Sequence, residues 1–188
     1  MCQLLLASLH CERQFLKMKI RFSCLIFMPL LLLGIAVQAS GQAPVVASTD
    51  PESLFTSPDP ALNANKQVVL HIVRDLLEAN QWSEADKYLS ERYLQHNPQV
   101  ASGLAPVQKF FAGRPEQPIP AKMQTKVVSV TAEGDLVVVA VRHEFANPKK
   151  AGECYTTTWF DMWRIVNGKA DEHWDGATLS PAGTTPCH

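Results

Sequence analysis

The chain of 188 residues is poor in the short motifs that announce a chemistry. It contains no His-Glu-X-X-His, no Cys-X-X-Cys and no Gly-X-Ser-X-Gly, so neither a zinc hydrolase nor a serine nucleophile on a strained elbow has local support. There is no basic run or stripe, which argues against nucleic acid or an anionic membrane surface as partner. No internal repeat is visible, and the one long apolar stretch, at 22–37, holds about 16 residues where roughly 20 are needed to cross a bilayer. Cysteine is scarce: of 5, Cys2, Cys11 and Cys24 precede residue 40, which leaves Cys154 and Cys187 for the rest of the chain.

The apolar stretch reads as a leader. Met18, Lys19 and Arg21 form a positive start, and Val37-Gln38-Ala39 is a small-residue cleavage site, the pattern of a secretory signal peptide over 18–39. Residues 1–17 carry no targeting pattern and read as a doubtful upstream extension, with Met18 the expected start. The alternative is an uncleaved membrane anchor. Ser40-Gly41 stands where a lipidated cysteine would be, so the expected product is periplasmic or secreted, with no membrane contact after cleavage. Residues 40–188 carry 13 Lys+Arg against 17 Asp+Glu, a net charge of −4. In an oxidising compartment two cysteines are most simply one disulfide, Cys154–Cys187, pinning the C-terminal tail to the start of a strand. The competing arrangement is a buried unpaired Cys154 and a free Cys187 on a frayed end.

Residues 40–61 are rich in Pro, Ser, Thr and Ala without periodicity, the composition of a flexible linker. One domain over 62–181 and a short tail at 182–188 remain, and about 120 residues suffice for a single core. Apolar pairs four apart, Val68/Val69, Ile72/Val73 and Leu76/Leu77, predict a helix over 65–79, capped by Asn63 or Asn65 and ended by Asn80. A second helix is expected at 84–89 behind Ser83 as cap and Trp82 as staple, and a third at 104–111. Valine-rich segments 123–131 and 136–145, joined at Glu133-Gly134-Asp135, and segments 154–166 and 169–175, joined at Asn167-Gly168, predict two hairpins. Helices first and strands afterwards make an α+β domain, a curved antiparallel sheet folded over the helices with a pocket at its open end.

The last hairpin concentrates the reactive side chains. With a period of two, Trp159, Asp161 and Trp163 share one face of its first strand, and Asp171, His173 and Asp175 share one face of its second. Where those faces coincide they form a polar cluster walled by indoles.

Tyr93-Leu94-Gln95-His96-Asn97-Pro98, Phe160-Asp161-Met162-Trp163-Arg164, Asn167-Gly168-Lys169 and Glu172-His173-Trp174-Asp175 together resemble the SnoaL-like polyketide cyclase family. Within it they are most similar to the branch described as SnoaL-like aldol-condensation enzymes, part of the nuclear transport factor 2-like superfamily, which also holds ketosteroid isomerase and scytalone dehydratase. The resemblance covers about residues 65–175. It implies a cone-shaped α+β roll, a homodimer through the outer face of the sheet, and a small-molecule ligand in the cone. It further implies Asp175 as a general base for a proton next to a carbonyl, and Asp161 as a protonated donor to the developing oxyanion, the logic of ketosteroid isomerase.

On this reading Asp175, Asp161 and His173 are the expected catalytic groups, with Tyr93, His96, Trp159, Trp163 and Trp174 lining the ligand. Trp163 and Trp174 would shield the base. Each has a plainer alternative. Asp161 pairs with Arg164, Arg142 or a backbone amide; Asp175 ends its strand in solvent; His96 is satisfied by neighbouring backbone; Asn97 and Pro98 serve only a turn; Trp159 and Trp163 are core. No cofactor and no metal are expected, a gathering of His96, Asp161, His173 and Asp175 around an ion being the weakest reading. Function divides into cofactor-free proton abstraction on a partly apolar, carbonyl-bearing molecule (isomerase, cyclase or aldol type) and a non-catalytic ligand-binding or dimeric interaction module.

Overall fold

The computed structural model describes residues 41–179 and Cys187. The leader, the upstream extension and the rest of the C-terminal tail lie outside the described residues. Helix α1 (Pro60–His71) runs on into a π-helical segment, Ile72–Glu78, followed by a 3-10 segment, Trp82–Lys87. Strand β1 (Leu89–Gln95), helix α2 (Leu104–Phe111) and strands β2 (Val127–Glu133), β3 (Leu136–Ala146), β4 (Cys154–Val166) and β5 (Lys169–Trp174) complete the domain. The fold is α+β, with one curved, unclosed sheet in the order β1-β5-β4-β3-β2.

The sheet is mixed rather than antiparallel. β2 to β5 form the expected antiparallel meander, but β1 pairs with β5 in parallel. β1 enters from the helical half and leaves into α2, so it covers the free edge of the last strand in the same direction. This long-range pairing has no local signature.

Helix α1 begins five residues before the position expected from periodicity. Asp59 caps it, its carboxylate accepting from the amides of Ala61 and Leu62, with Pro60 at the first helical position. The Asp-Pro pair carries that signal, since a proline at the first turn lacks only an N–H that would be orphaned anyway. Asn63 instead accepts from Ser57 N, and Asn65 Nδ2 donates to Gly134 O. The expected second helix is only the 3-10 segment, and Ser83 Oγ donates to Glu116 Oε1 rather than capping it. The two hairpin turns form as expected: Gly134 has φ 56°, and Asn167 and Gly168 have φ 51° and 74°.

Residues 40–61 differ from the flexible linker that their composition predicts. Their described part packs onto the domain: Gln42 Nε2 donates to Thr156 O, Val45 N to Thr156 Oγ1 and Ser48 N to Val127 O, and a 3-10 turn (Glu52–Phe55) buries Phe55 completely. The backbone acceptors of the segment are served by α1, through Lys66 Nζ to Leu54 O and Thr56 O and Gln67 Nε2 to Phe55 O. An extended strap held this way needs no periodicity of its own.

The core lies between the helices and one face of the sheet. Val69, Ile72 and Leu76 meet Val137, Val139, Trp163 and Ile165, all nearly or fully buried. Cys154 and Cys187 are joined in a disulfide, Cα atoms 6.0 Å apart. Among the described residues no helix is long and apolar enough to cross a membrane.

Candidate active site

Strand register builds the site. Across the sheet Val137 pairs with Trp163, Trp163 with His173 and His173 with Gln95, so one transverse row sets a buried indole beside a buried imidazole and ends at Gln95. Alternation places Trp159 and Asp161 on the same face of β4 as Trp163, Asp175 on the face of His173, and Asn97 on the face of Tyr93 and Gln95. Together with Ile72, Leu77, Val107, Phe110 and Phe111 from the helical side they line a cavity of about 290 Å³, near the small end of ligand sites.

His173, only 7 % exposed, is held at both nitrogens. Nδ1 lies 2.9 Å from Gln95 Oε1 and Nε2 3.2 Å from Asp161 Oδ1. A carbonyl oxygen only accepts, so Nδ1 carries the ring hydrogen and Nε2 faces the Asp161 carboxyl. Trp159 Nε1 also donates to Asp161 Oδ1, at 3.2 Å. Asp175 takes N–H donors on both oxygens, Asn97 Nδ2 at 2.7 Å and Ala177 N at 2.9 Å. Asp161, His173 and Asp175 offer ligand atoms within 4.8 Å of one another, so they are the cavity residues able to meet a cation.

Tyr93 supplies a second kind of donor. Its hydroxyl accepts from Trp163 Nε1 at 3.0 Å, and burial pushes the phenol well above its ordinary range, so it stays protonated. Among the described residues nothing accepts the Tyr93 hydrogen.

Of the residues expected at the site, Asp161, His173, Asp175, Tyr93, Trp159 and Trp163 converge on this cavity. His96 and Trp174 do not. They lie one residue out of phase with Tyr93 and His173, hence on the opposite face, where the two rings stack 5.0 Å apart. There His96 Nε2 meets Glu172 Oε1 at 2.9 Å, and Arg164 bridges Glu172 and Asp135. Trp174 therefore does not shield Asp175. The Asp161 alternatives fail likewise, since its partners are His173 and Trp159. Asp171 has the phase of His173 but not its surroundings: it accepts from Ser90 Oγ and pairs with Arg92, a hydrogen bond that holds its carboxyl below the usual range. Gln95 and Asn97 were missed as site residues. Their spacing of two from Tyr93 is the signal that could have found them, and it also excludes His96.

A SnoaL-like domain matches residues 70–173. Among solved structures, a candidate SnoaL-like polyketide cyclase from Jannaschia sp. CCS1 shares 18 % identity, with 64 % of this chain and 91 % of that one covered, at TM-score 0.45. An NTF2-like protein of unknown function from Burkholderia pseudomallei shares 17 %, covering 61 % and 91 %, at TM-score 0.44. An LEH-like epoxide hydrolase from M. tuberculosis shares 11 %, covering 60 % and 80 %, at TM-score 0.43. No curated protein matches the chain. With the domain match spanning more than half of its residues, the chain belongs to the SnoaL-like family.

Proposed function

We infer that the domain binds a small, partly apolar, carbonyl-bearing molecule in this cavity and removes a proton next to the carbonyl without a cofactor. The observation that carries the reading is the pairing, in one cavity, of a carboxylate positioned by two N–H donors, Asp175, with the Tyr93 hydroxyl and the hydrogen-bonded His173–Asp161 pair. Asp175 takes the α-proton. Tyr93 and the His173–Asp161 pair donate to the enolate oxygen as charge develops, beside the apolar residues that line the cavity. Reprotonation at another carbon gives an isomerase, and attack of the enolate on a second carbonyl gives an aldol-type cyclase. Gln95 fixes the His173 tautomer and Asn97 fixes the Asp175 carboxylate, so both are positioning residues.

The test needs no known substrate. A panel of small ketones is incubated with the protein in deuterated water, and α-proton exchange is followed by NMR. Enzyme-dependent exchange that falls about 10²- to 10⁴-fold in Asp175→Asn and Asp161→Asn, with binding largely kept, is the expected result. Panel members that bind without any exchange would instead support the non-catalytic ligand-binding module.

The proposal extends to export, with cleavage after Ala39, and to a homodimer through the outer sheet face. The disulfide and the exposure of Phe160 on that face, 58 %, support these two points. N-terminal sequencing of the mature protein and light scattering test them.

A further inference from the structure

The cavity has a charge at its mouth that proton abstraction does not use. Arg114, just beyond α2, is the sole lysine or arginine among the described cavity-lining residues. Its guanidinium lies 4.7 Å from the centroid of the Phe111 ring, and none of the ion pairs among the described residues involves it. Exposure orders the cavity by depth. Phe110 and Leu77, at 46 % and 39 % exposed, form the rim beside Arg114, while the side chains of His173 and Asp161 are only 8 % and 17 % exposed. The lining thus carries an exposed, unpaired cation among half-exposed apolar residues, a half-buried Asp161 beside the buried His173, and a half-buried Asp175.

We propose that the cavity takes an amphiphile with a single anionic end, a carboxylate held by Arg114, and an apolar body whose reactive carbonyl reaches Asp175 and Tyr93. This rests on the proposed function for the role of the floor and adds the substrate class. A carboxylate is repelled by Asp161 and Asp175 and attracted by Arg114, so only one orientation is favoured. One cation against two carboxylates also selects a monoanion over a phosphate dianion. Arg114 is exposed and bonded to the domain through its backbone, Arg114 N to Phe111 O, so its side chain can be changed without disturbing the core.

Decanoate and its neutral analogue methyl decanoate serve as probes, with quenching of the cavity tryptophans as the readout at low ionic strength. Decanoate is expected to bind about fivefold more tightly than the ester, the advantage of one partly exposed ion pair. Arg114→Gln should bring that ratio to about one, Arg114→Lys should keep part of it, and added salt should lower it. Equal binding of the two probes by the wild type, or a ratio that survives Arg114→Gln, overturns the proposal. The ratio is read without turnover, so it holds in Asp175→Asn if the catalytic reading alone is wrong.

Discussion

At the residue scale, side-chain phase along a strand decides what reaches the cavity. His96 and His173 are both histidines beside an acidic partner, yet one is half exposed on the outer face and the other is buried at the floor. His96→Ala and Trp174→Ala should therefore leave ligand binding unchanged, and His96→Ala should lower stability by less than about 1 kcal/mol, since an exposed ion pair contributes little. Titration calorimetry and thermal melts check both. Asn97→Ala removes one of the two donors that orient Asp175. It should slow the proposed exchange about tenfold with little change in binding, and Asn97→Asp, which sets a second carboxylate against Asp175, should slow it further.

The element scale explains which expectations survived. α2, β4 and the Asn167-Gly168 turn are where periodicity and turn chemistry placed them, because their signals are local. The start of α1 moved to Asp59-Pro60, a cap that the apolar pattern alone does not reveal. The cluster of polar and indole groups in the last hairpin was readable from alternation, but its completion by Gln95 and Asn97 depends on the parallel β1–β5 contact. The π-helical segment adds a buried ionic knot: Asp75, 2 % exposed, meets Arg74 Nε at 2.8 Å, His71 Nδ1 at 2.9 Å and the Tyr88 hydroxyl at 2.8 Å. Burial pushes the Asp75 carboxyl up, but these hydrogen bonds outweigh it and leave it below its ordinary value, while burial, reinforced by Asp75, pushes the Tyr88 phenol up to about 12. The folded carboxyl thus titrates below the unfolded one. Its contribution is complete above about pH 4 and is lost as pH falls through the folded value. Asp75→Asn should lower stability by about 3 kcal/mol at neutral pH, where the loss of the buried charge leaves Arg74 and His71 without their acceptor. It should also flatten the acid limb of a Tm-against-pH curve measured by circular dichroism.

At the scale of the whole molecule, segments on either side of the described helices and strands are fastened to the sheet. The strap at residues 42–55 crosses to β4 and β2, and Cys187 is tied to Cys154, 33 residues earlier in sequence. Closing a loop of that length restricts the unfolded chain enough to stabilise the fold by about 4 kcal/mol in the chain-entropy account. Reduction, or the Cys154→Ser and Cys187→Ser pair, should lower the Tm correspondingly, and intact mass under non-reducing conditions should show the bonded form.

The parallel pairing of β1 with β5 has a kinetic consequence. Gln95 and His173 are 78 residues apart in sequence yet share a hydrogen bond, so the cavity floor closes only when the two halves of the domain meet. Contacts of such separation form late, because the entropy of the intervening chain is surrendered before they return any energy. In a refolding experiment, secondary structure should therefore recover before the cavity does, and quenching by a bound probe should lag behind the far-ultraviolet signal.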